Sequence, residues 1–427
     1  MKILLKNGSV INENGDVYKA DILIVDSMIA EVAENISESA DKTVDCTGKF
    51  ITPGFASMHN HSPMNIFKGI AEDVHIDDWF NKELWPYESK MQDNDIYWGA
   101  KLSCAEMVNN GITCFADHYF KGELIAKAAK EIGIKADIAY TIYGFSGDCT
   151  DELAMAEKFI SDFKNDDYIA PRLGPHSPYL NSPAVLKQIS DKAKELGVGV
   201  HIHVSETEIQ VKQSRENHGG KTPFEVCREN GIFDVPCIVG HGLWIEEDDI
   251  KYLNSDTVFA VSPKTYMNLG MGEGNLWKYA DILNLAAGND GCASSNSVDV
   301  LEQIRLFALV GKFKDNARGF TLKQIWKLLM NGHKYLSFNS GVIAKGYSAD
   351  LKIFDLNTLS ASPVYNPLAA IIYSAVPSVN ITDVIISGKF VKENGKLSFD
   401  EKEIIKNAQE CAKEIYARGK GVAKIYF

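Results

Sequence analysis

Residues 53–61 read Pro53-Gly-Phe55-Ala-Ser-Met-His59-Asn-His61, and the reading of the whole chain turns on them. The stretch opens on a Pro-Gly break, runs through an apolar segment and ends on two histidines two residues apart. Side chains of an extended segment alternate faces, so His59 and His61 point to the same side. Two such imidazoles can share one divalent metal ion, because neutral imidazole suits zinc and similar metals. A lone His-x-His is weak evidence. It gains weight from the polar residues further along, His203 with Glu206, then His241, then Asp290, each just after an apolar strand-like run.

Working outward, the middle of the chain alternates strand-like and helical patterns. Strands are expected at Phe55–Met58, Ile112–Ala116, Ala136–Ile142, Ala170–Gly174, Val198–Val204, Cys237–Val239, Val258–Val261 and Ile282–Ala287. The clearest helix starts at Ser182-Pro183-Ala184 and stops at Leu196-Gly197, with an N-cap serine, proline at the first position and glycine past the end. A second spans Asp93 to Asn110, closed by Gly111. Eight strand-then-helix units over residues 53–340 predict an α/β fold of the (β/α)8 TIM-barrel type. A doubly wound open sheet is the alternative, and it leaves the polar residues after so many different strands unexplained.

The two ends resemble each other instead. Residues 1–52 and 341–427 carry short alternating strands and turn signals, such as Asp21–Val25, Asn14-Gly15, Ala349–Phe354, Val384–Ile386 and Asn394-Gly395. They predict one composite β-sandwich domain built by both termini around the inserted barrel.

Composition fits an enzyme acting on a small molecule. The chain has 427 residues, 45% hydrophobic and 24% charged, with a net charge of −13 that argues against nucleic-acid or anionic-membrane surfaces. Its eight cysteines include no C-x-x-C pair, which suits reduced thiols. The N-terminal apolar stretch is too short for a signal peptide, no run approaches a membrane span, and a cytoplasmic location is expected. A homo-oligomer is compatible with the sequence.

Residues that end separate barrel strands converge on one mouth. Seven of the ten histidines (59, 61, 118, 176, 201, 203 and 241) lie in or just after expected strands, with Glu206 and Asp290 among them. His75, His218 and His333 fall in loops or helices and suit solvated or structural roles. Three imidazoles and a carboxylate can hold one divalent ion while leaving room for water, which the ion makes nucleophilic near neutral pH. Glu206, three residues past His203, is placed to move protons. It would otherwise cap the following helix. His241 is either a further ligand or a hydrogen-bond partner of the attacking water.

The motif set resembles the amidohydrolase superfamily along nearly the whole chain, in its methylthioadenosine/S-adenosylhomocysteine deaminase and triazine-chlorohydrolase branch. It comprises Pro53–His61, Trp85-Pro-Tyr-Glu88, Cys104-Ala-Glu-Met107, Gly174-Pro-His-Ser-Pro-Tyr179, His201-Ile-His-Val-Ser-Glu206, Gly240-His241, Asn289-Asp290-Gly-Cys-Ala-Ser-Ser-Asn296 and Gly346-Tyr-Ser-Ala-Asp350. The resemblance implies metal ligands at His59, His61, His203 and Asp290, holding one divalent ion, zinc with iron or manganese as alternatives. It implies an acid/base at Glu206 and a water-contacting histidine at His241, with Asp290 also serving the chemistry. Glu88 falls where nucleoside deaminases of the family bind ribose hydroxyls, and His176 where they contact the purine. His201 is left to packing or to support of the ligands. The implied reaction is hydrolytic release of ammonia from an amino-substituted N-heterocycle, foremost an adenine nucleoside, with guanine, pterin or triazine substrates as the alternative.

The chain also departs from that branch. The usual His-Asn-Pro-x-Ser-Asn after strand seven is replaced by Val261-Ser-Pro-Lys-Thr-Tyr266, and Thr-Asp at strand eight by Asn289-Asp290. The stretch Tyr140–Thr150 holds none of the arginines that bind the homocysteine carboxylate. A buried carboxylate without a bidentate partner binds poorly, so S-adenosylhomocysteine is expected to be a poorer substrate than uncharged analogues. Lys264 is a candidate replacement point charge. Pro171–Tyr179 offers no bridging lysine for a second metal, and the H-x-E and P-C-x-x-C pattern of cytidine-type deaminases is absent. A barrel that binds without turnover would need neither Glu206 nor His241.

Overall fold

The computed structural model describes residues 1–145 and 147–423. Eight parallel strands in sequential order form the barrel: β1 (Phe55–Ser57), β2 (Ile112–Tyr119), β3 (Lys135–Ile142), β4 (Ile169–Pro175), β5 (Val200–Val204), β6 (Cys237–His241), β7 (Thr257–Val261) and β8 (Leu285–Ala287). Strands β2 and β3 are buried along their whole length, the expected state of parallel strands covered on both faces. Ala56, Met58, Cys114, Ala116, Ile238, Val258, Ala260 and Ala286 fill the interior.

Backbone bonds just beyond β1 and β8 draw the barrel shut. Met58 N donates to Ala287 O (2.7 Å), and the amides of Asn289 and Asp290 both donate to His59 O (2.9 Å each). Asn289 Nδ2 adds a bond to Ser57 Oγ (2.9 Å). The departure from Thr-Asp thus supplies a closure contact, and it fixes Asp290 beside His59.

Local signals act as their chemistry predicts. The helix Pro183–Leu196 begins with Ser182 Oγ accepting from Val185 N (3.3 Å) and ends at Gly197 with φ of 67°. The helix Asp93–Asn109 opens on a reciprocal Gln92–Asp95 capping box. Strand β8 begins later than expected, because Ile282 lies in a turn and is exposed.

Both chain ends contribute to one nine-stranded sheet separate from the barrel. Phe50–Pro53 pairs in parallel with Lys2–Ile11 and antiparallel with Leu351–Phe354, so the strand entering the barrel is stitched to the first strand after it. Ile3, Leu5, Val10, Ile22, Ile24, Ile51, Leu351, Ile353 and Ile385 form its own core. Buried Lys352 crosses to the barrel, donating to Pro53 O (2.7 Å) with its Nζ over the Phe55 ring. The helix Glu401–Arg418, which strand-and-turn signals did not reveal, packs instead on the barrel helix Asp93–Asn109 through Arg418 to Asp95 (2.7 Å). All eight cysteines are free and buried, and no helix of the described residues is long and apolar enough to cross a membrane.

Candidate active site

The C-terminal ends of β1, β5 and β6 and the turn after β8 bring His59, His61, His203, His241 and Asp290 together. Donor atoms of His59, His61 and His203 form one close set. Asp290 Oδ1 lies 3.4 Å from His59 Nε2 and 3.2 Å from His61 Nε2, and His203 Nε2 lies 3.3 Å from His61 Nε2. Metal–ligand bonds of about 2.1 Å place tetrahedral donors about 3.4 Å apart, so the spacing fits a divalent ion. His59, His241 and Asp290 form a second, overlapping set of close donor atoms, which keeps His241 next to the same point.

The remaining ring nitrogens fix the donors. His61 Nδ1 donates to His118 O (2.7 Å) and His203 Nδ1 to His176 O (2.8 Å), so both Nε2 atoms are turned inward. His59 Nδ1 pairs with His201 Nε2 at 2.8 Å. His201 therefore supports His59 from behind.

Burial drives His59 down to about 3 and holds His203 well below the usual imidazole range, so both favour the neutral, ligating form. Burial also works against charge on His61, but the bond to Asp290 and that carboxylate's charge outweigh it, and the ring is pushed up to about 9. Burial resists ionisation of Asp290, yet its bonds to His59 and His61 hold the carboxyl well below its ordinary range. A divalent ion between these atoms would supply the positive charge that the Asp290 carboxylate favours.

Several residues are held in strained backbone to make this geometry. Ser205, His241 and Asp290 have φ of 48°, 72° and 63°, in the left-handed region that costs about 1–3 kcal/mol per non-glycine residue. Gly240 is required by close approach, since a Cβ there would stand 3.0 Å from His59 Cε1.

Glu206 is not the cap of the following helix. Thr207 and Gln210 form that capping box, which leaves the Glu206 carboxylate at the mouth. Its Oε1 lies 3.5 Å from His241 Nε2, and its Oε2 accepts from Tyr179 Oη (3.3 Å). His241 Nδ1 is buried and has no hydrogen-bond partner among the described residues.

Further out, Glu88 is buried and accepts a 2.5 Å bond from Tyr119 Oη, while burial raises its carboxyl. The segment that carries it is braced by Tyr87, which stacks on Tyr416 of the C-terminal helix at 6.0 Å. His176 stacks on Tyr143 (5.4 Å) and lies 4.8 Å from the His203 ring, and burial lowers it to about 3. His118 points below the site, to Thr141 Oγ1 (2.9 Å) and Pro175 O (3.4 Å). Lys264 is committed elsewhere, to Glu302 (2.8 Å) and Ser297 (3.1 Å), so it supplies no free charge for a substrate carboxylate. Sequence reasoning assigned no role to Tyr119, Tyr179 or Ser294. Ser294 Oγ lies 3.2 Å from Asp290 Oδ2 and 3.0 Å from Thr265 Oγ1, on the side away from the donors. Tyr179 and Ser294 left a trace, within the Gly174–Tyr179 and Asn289–Asn296 motifs.

Comparison with known proteins adds independent findings. The amidohydrolase family matches residues 50–391. A 5-methylthioadenosine/S-adenosylhomocysteine deaminase from Thermococcus sibiricus is 36% identical over 405 residues, covering 92% of this chain and 94% of its own. A 5′-deoxyadenosine deaminase from Methanosarcina acetivorans is 30% identical over 428 residues, covering 97% and 99%. An adenosine deaminase structure from Xanthomonas campestris with bound zinc superposes with a TM-score of 0.93 at 25% identity, covering 97% of this chain and 98% of its own. Zinc-complexed atrazine chlorohydrolase from Arthrobacter aurescens shares the fold, with a TM-score of 0.88 at 20% identity over 96% and 100%.

Proposed function

The chain belongs to the amidohydrolase family, and on that premise we propose that it is a metal-dependent aminohydrolase of adenine nucleosides, of the 5′-methylthioadenosine, adenosine and S-adenosylhomocysteine type. One observation carries the reading: a carboxylate released from helix capping, Glu206, stands beside His241 and the four-donor cluster.

His59, His61, His203 and Asp290 are the residues proposed to hold one divalent ion, zinc or alternatively iron or manganese. When bound, the ion supplies Lewis acidity that makes water nucleophilic near neutral pH. Glu206 accepts a proton from the attacking water and delivers it to the purine ring nitrogen. His241 and Asp290 orient the attacking oxygen. A C6–O bond forms and the C6–N bond breaks. One proton of the water ends on the ring nitrogen and the other on the departing ammonia. Glu88 receives the ribose hydroxyls and His176 the purine. The engagement of Lys264 by Glu302 and the arginine-free loop after β3 favour uncharged nucleosides over S-adenosylhomocysteine. The buried, unpaired thiols suit a cytoplasmic protein.

The test is ammonia release from zinc-loaded protein across adenosine, 5′-deoxyadenosine, 5′-methylthioadenosine, S-adenosylhomocysteine, guanine, a pterin and an aminotriazine, with metal content measured alongside. Adenine nucleosides should be turned over at one ion per chain. Turnover of guanine, pterin or triazine alone would overturn the nucleoside assignment, and about two ions per chain would overturn the donor set.

A further inference from the structure

The C-terminal segment reaches back along the chain to the single helical turn that carries Glu88. That turn, Trp85–Glu88, sends two buried neighbours in different directions, since consecutive helical residues lie about 100° apart. Glu88 Oε1 accepts from Tyr119 Oη on the barrel (2.5 Å). The Tyr87 ring instead stacks on Tyr416 (6.0 Å, 13° between planes), and its Oη accepts from Ala423 N (3.2 Å). Arg418 ties the same segments together, donating to Lys90 O (3.0 Å) and Asp95 Oδ2 (2.7 Å). Between these anchors Gly419 and Gly421 run against the ring. A Cβ on Gly419 would stand 2.3 Å from Tyr87 Cδ1, and one on Gly421 would stand 2.2 Å from Tyr87 Cε2. Neither glycine has a positive φ, so close approach and not backbone conformation requires them. Tyr87 is thereby enclosed, with 1% of its surface exposed.

We propose that this C-terminal tail determines how the enzyme recognises the sugar: Tyr416, Gly419 and Gly421 hold Tyr87, Tyr87 fixes the turn, and the turn places the Glu88 carboxylate against the ribose hydroxyls. The assignment rests on the nucleoside reading above. It goes beyond that reading by making sugar recognition depend on residues that touch no substrate, which are positioning residues. Hydrogen bonds weaken steeply with angle and distance, so a shift of about 1 Å in Glu88 is enough to lose them. The proposed metal donors, Glu206 and His241 stand on other elements, at the ends of β1, β5, β6 and β8. Loosening the turn therefore leaves the bond-breaking machinery in place.

The experiment compares kcat and KM for adenosine and for 2′,3′-dideoxyadenosine, which lacks both hydroxyls, in wild type, Gly421→Ala, Tyr416→Ala, Tyr87→Phe and Glu88→Gln, all zinc-loaded. Hydrogen bonds to a charged group are worth about 10–100-fold. Gly421→Ala and Tyr416→Ala should therefore lose about 10–100-fold in kcat/KM on adenosine, mainly in KM, and stay within a few-fold of wild type on the dideoxy substrate. Tyr87→Phe drops only the bond from Ala423 N and keeps the ring, so it should show the same pattern at roughly 2–10-fold even where the other variants fold poorly. Gly421→Ala combined with Glu88→Gln should lose no more of the preference for adenosine than Glu88→Gln alone, because both act through one carboxylate. Equal losses on both substrates, or none, would overturn the positioning role while leaving the deaminase reading intact. A wild-type protein inactive on every adenine nucleoside would overturn both.

Discussion

Replacing Glu206 by glutamine removes proton transfer and little else, because the surroundings of this side chain are indifferent to the exchange. An amide oxygen can still accept from Tyr179 Oη, now at 3.3 Å, and Gln210 Nε2 stands 3.5 Å away. The backbone amide of Glu206 keeps its bond to Gln210 Oε1 (3.0 Å), so the turn after β5 is unchanged. None of the four converging donors belongs to Glu206. The amide cannot carry a proton between water and ring nitrogen at any pH. A positioned acid/base contributes roughly 10²–10⁴-fold, or about 3–5 kcal/mol of barrier. The loss should appear in kcat and kcat/KM alike, since the interaction exists only during proton transfer. Ammonia release, with zinc content and thermal unfolding measured on the same preparation, reads all three quantities. Activity within a few-fold of wild type would refute the assignment. Activity lost together with the zinc would instead make Glu206 part of the donor set.

Three further perturbations probe the support of the site and the fold. His201→Phe leaves His59 Nδ1 without its 2.8 Å partner and should weaken zinc binding by about 10–100-fold in chelator competition, whereas unchanged affinity would reduce His201 to packing. Gly240→Ala puts a methyl group 3.0 Å from His59 Cε1 and 3.3 Å from His203 Cδ2, so zinc affinity should fall at least tenfold at an overpacking cost of about 1–3 kcal/mol, and an unaffected affinity would refute the close-approach argument. Buried His333 donates from Nε2 to Gly54 O (3.0 Å) and accepts from Ser340 Oγ at Nδ1 (2.9 Å), and burial lowers it from 6.5 to about 4. The unfolded chain takes up this proton first, so its contribution to stability is lost as pH falls from about 6.5 to about 4, by roughly 3 kcal/mol, and stays lost below that. Denaturant melts across that window should be flatter for His333→Gln, and parallel wild-type and variant profiles would refute the linkage.

Much of the barrel was legible because a parallel strand covered on both faces is mostly apolar, and Ile112–Ala116 and Ala136–Ile142, within strands buried at every position, are such stretches. Pro183–Leu196 was legible because its serine, proline and glycine each have a backbone reason to be where they are. What escaped was set by tertiary contact. The helix Glu401–Arg418 follows a series of strand-and-turn signals, and its role is to brace Tyr87 and the segment carrying Glu88, a contact more than 300 residues away in sequence. Tyr119 sits on a strand buried at every position, where no periodicity separates the residue that binds Glu88 from those that only pack. Lys264 read as a candidate point charge because its partner, Glu302, lies on a different helix.

His201 and His203 show where alternation stops being informative. They are two residues apart on β5 and face the same interior, so the period of a strand cannot separate them. Position along the barrel axis does. His203 ends level with His61 and offers Nε2 to the cluster, while His201, one pleat lower, offers Nε2 to the back of His59. Below both, Arg172 and Asp137 close the interior with an ion pair at 2.7 Å. Above them, Glu206, Glu88 and His176 reach the mouth. Each step up the axis trades burial among fixed partners for access to substrate. A histidine's job in this barrel therefore follows from how many residues separate it from the end of its strand. The three-residue step from His203 to Glu206 places a proton carrier one level above a metal ligand, and that offset is what makes this sequence read as a hydrolase.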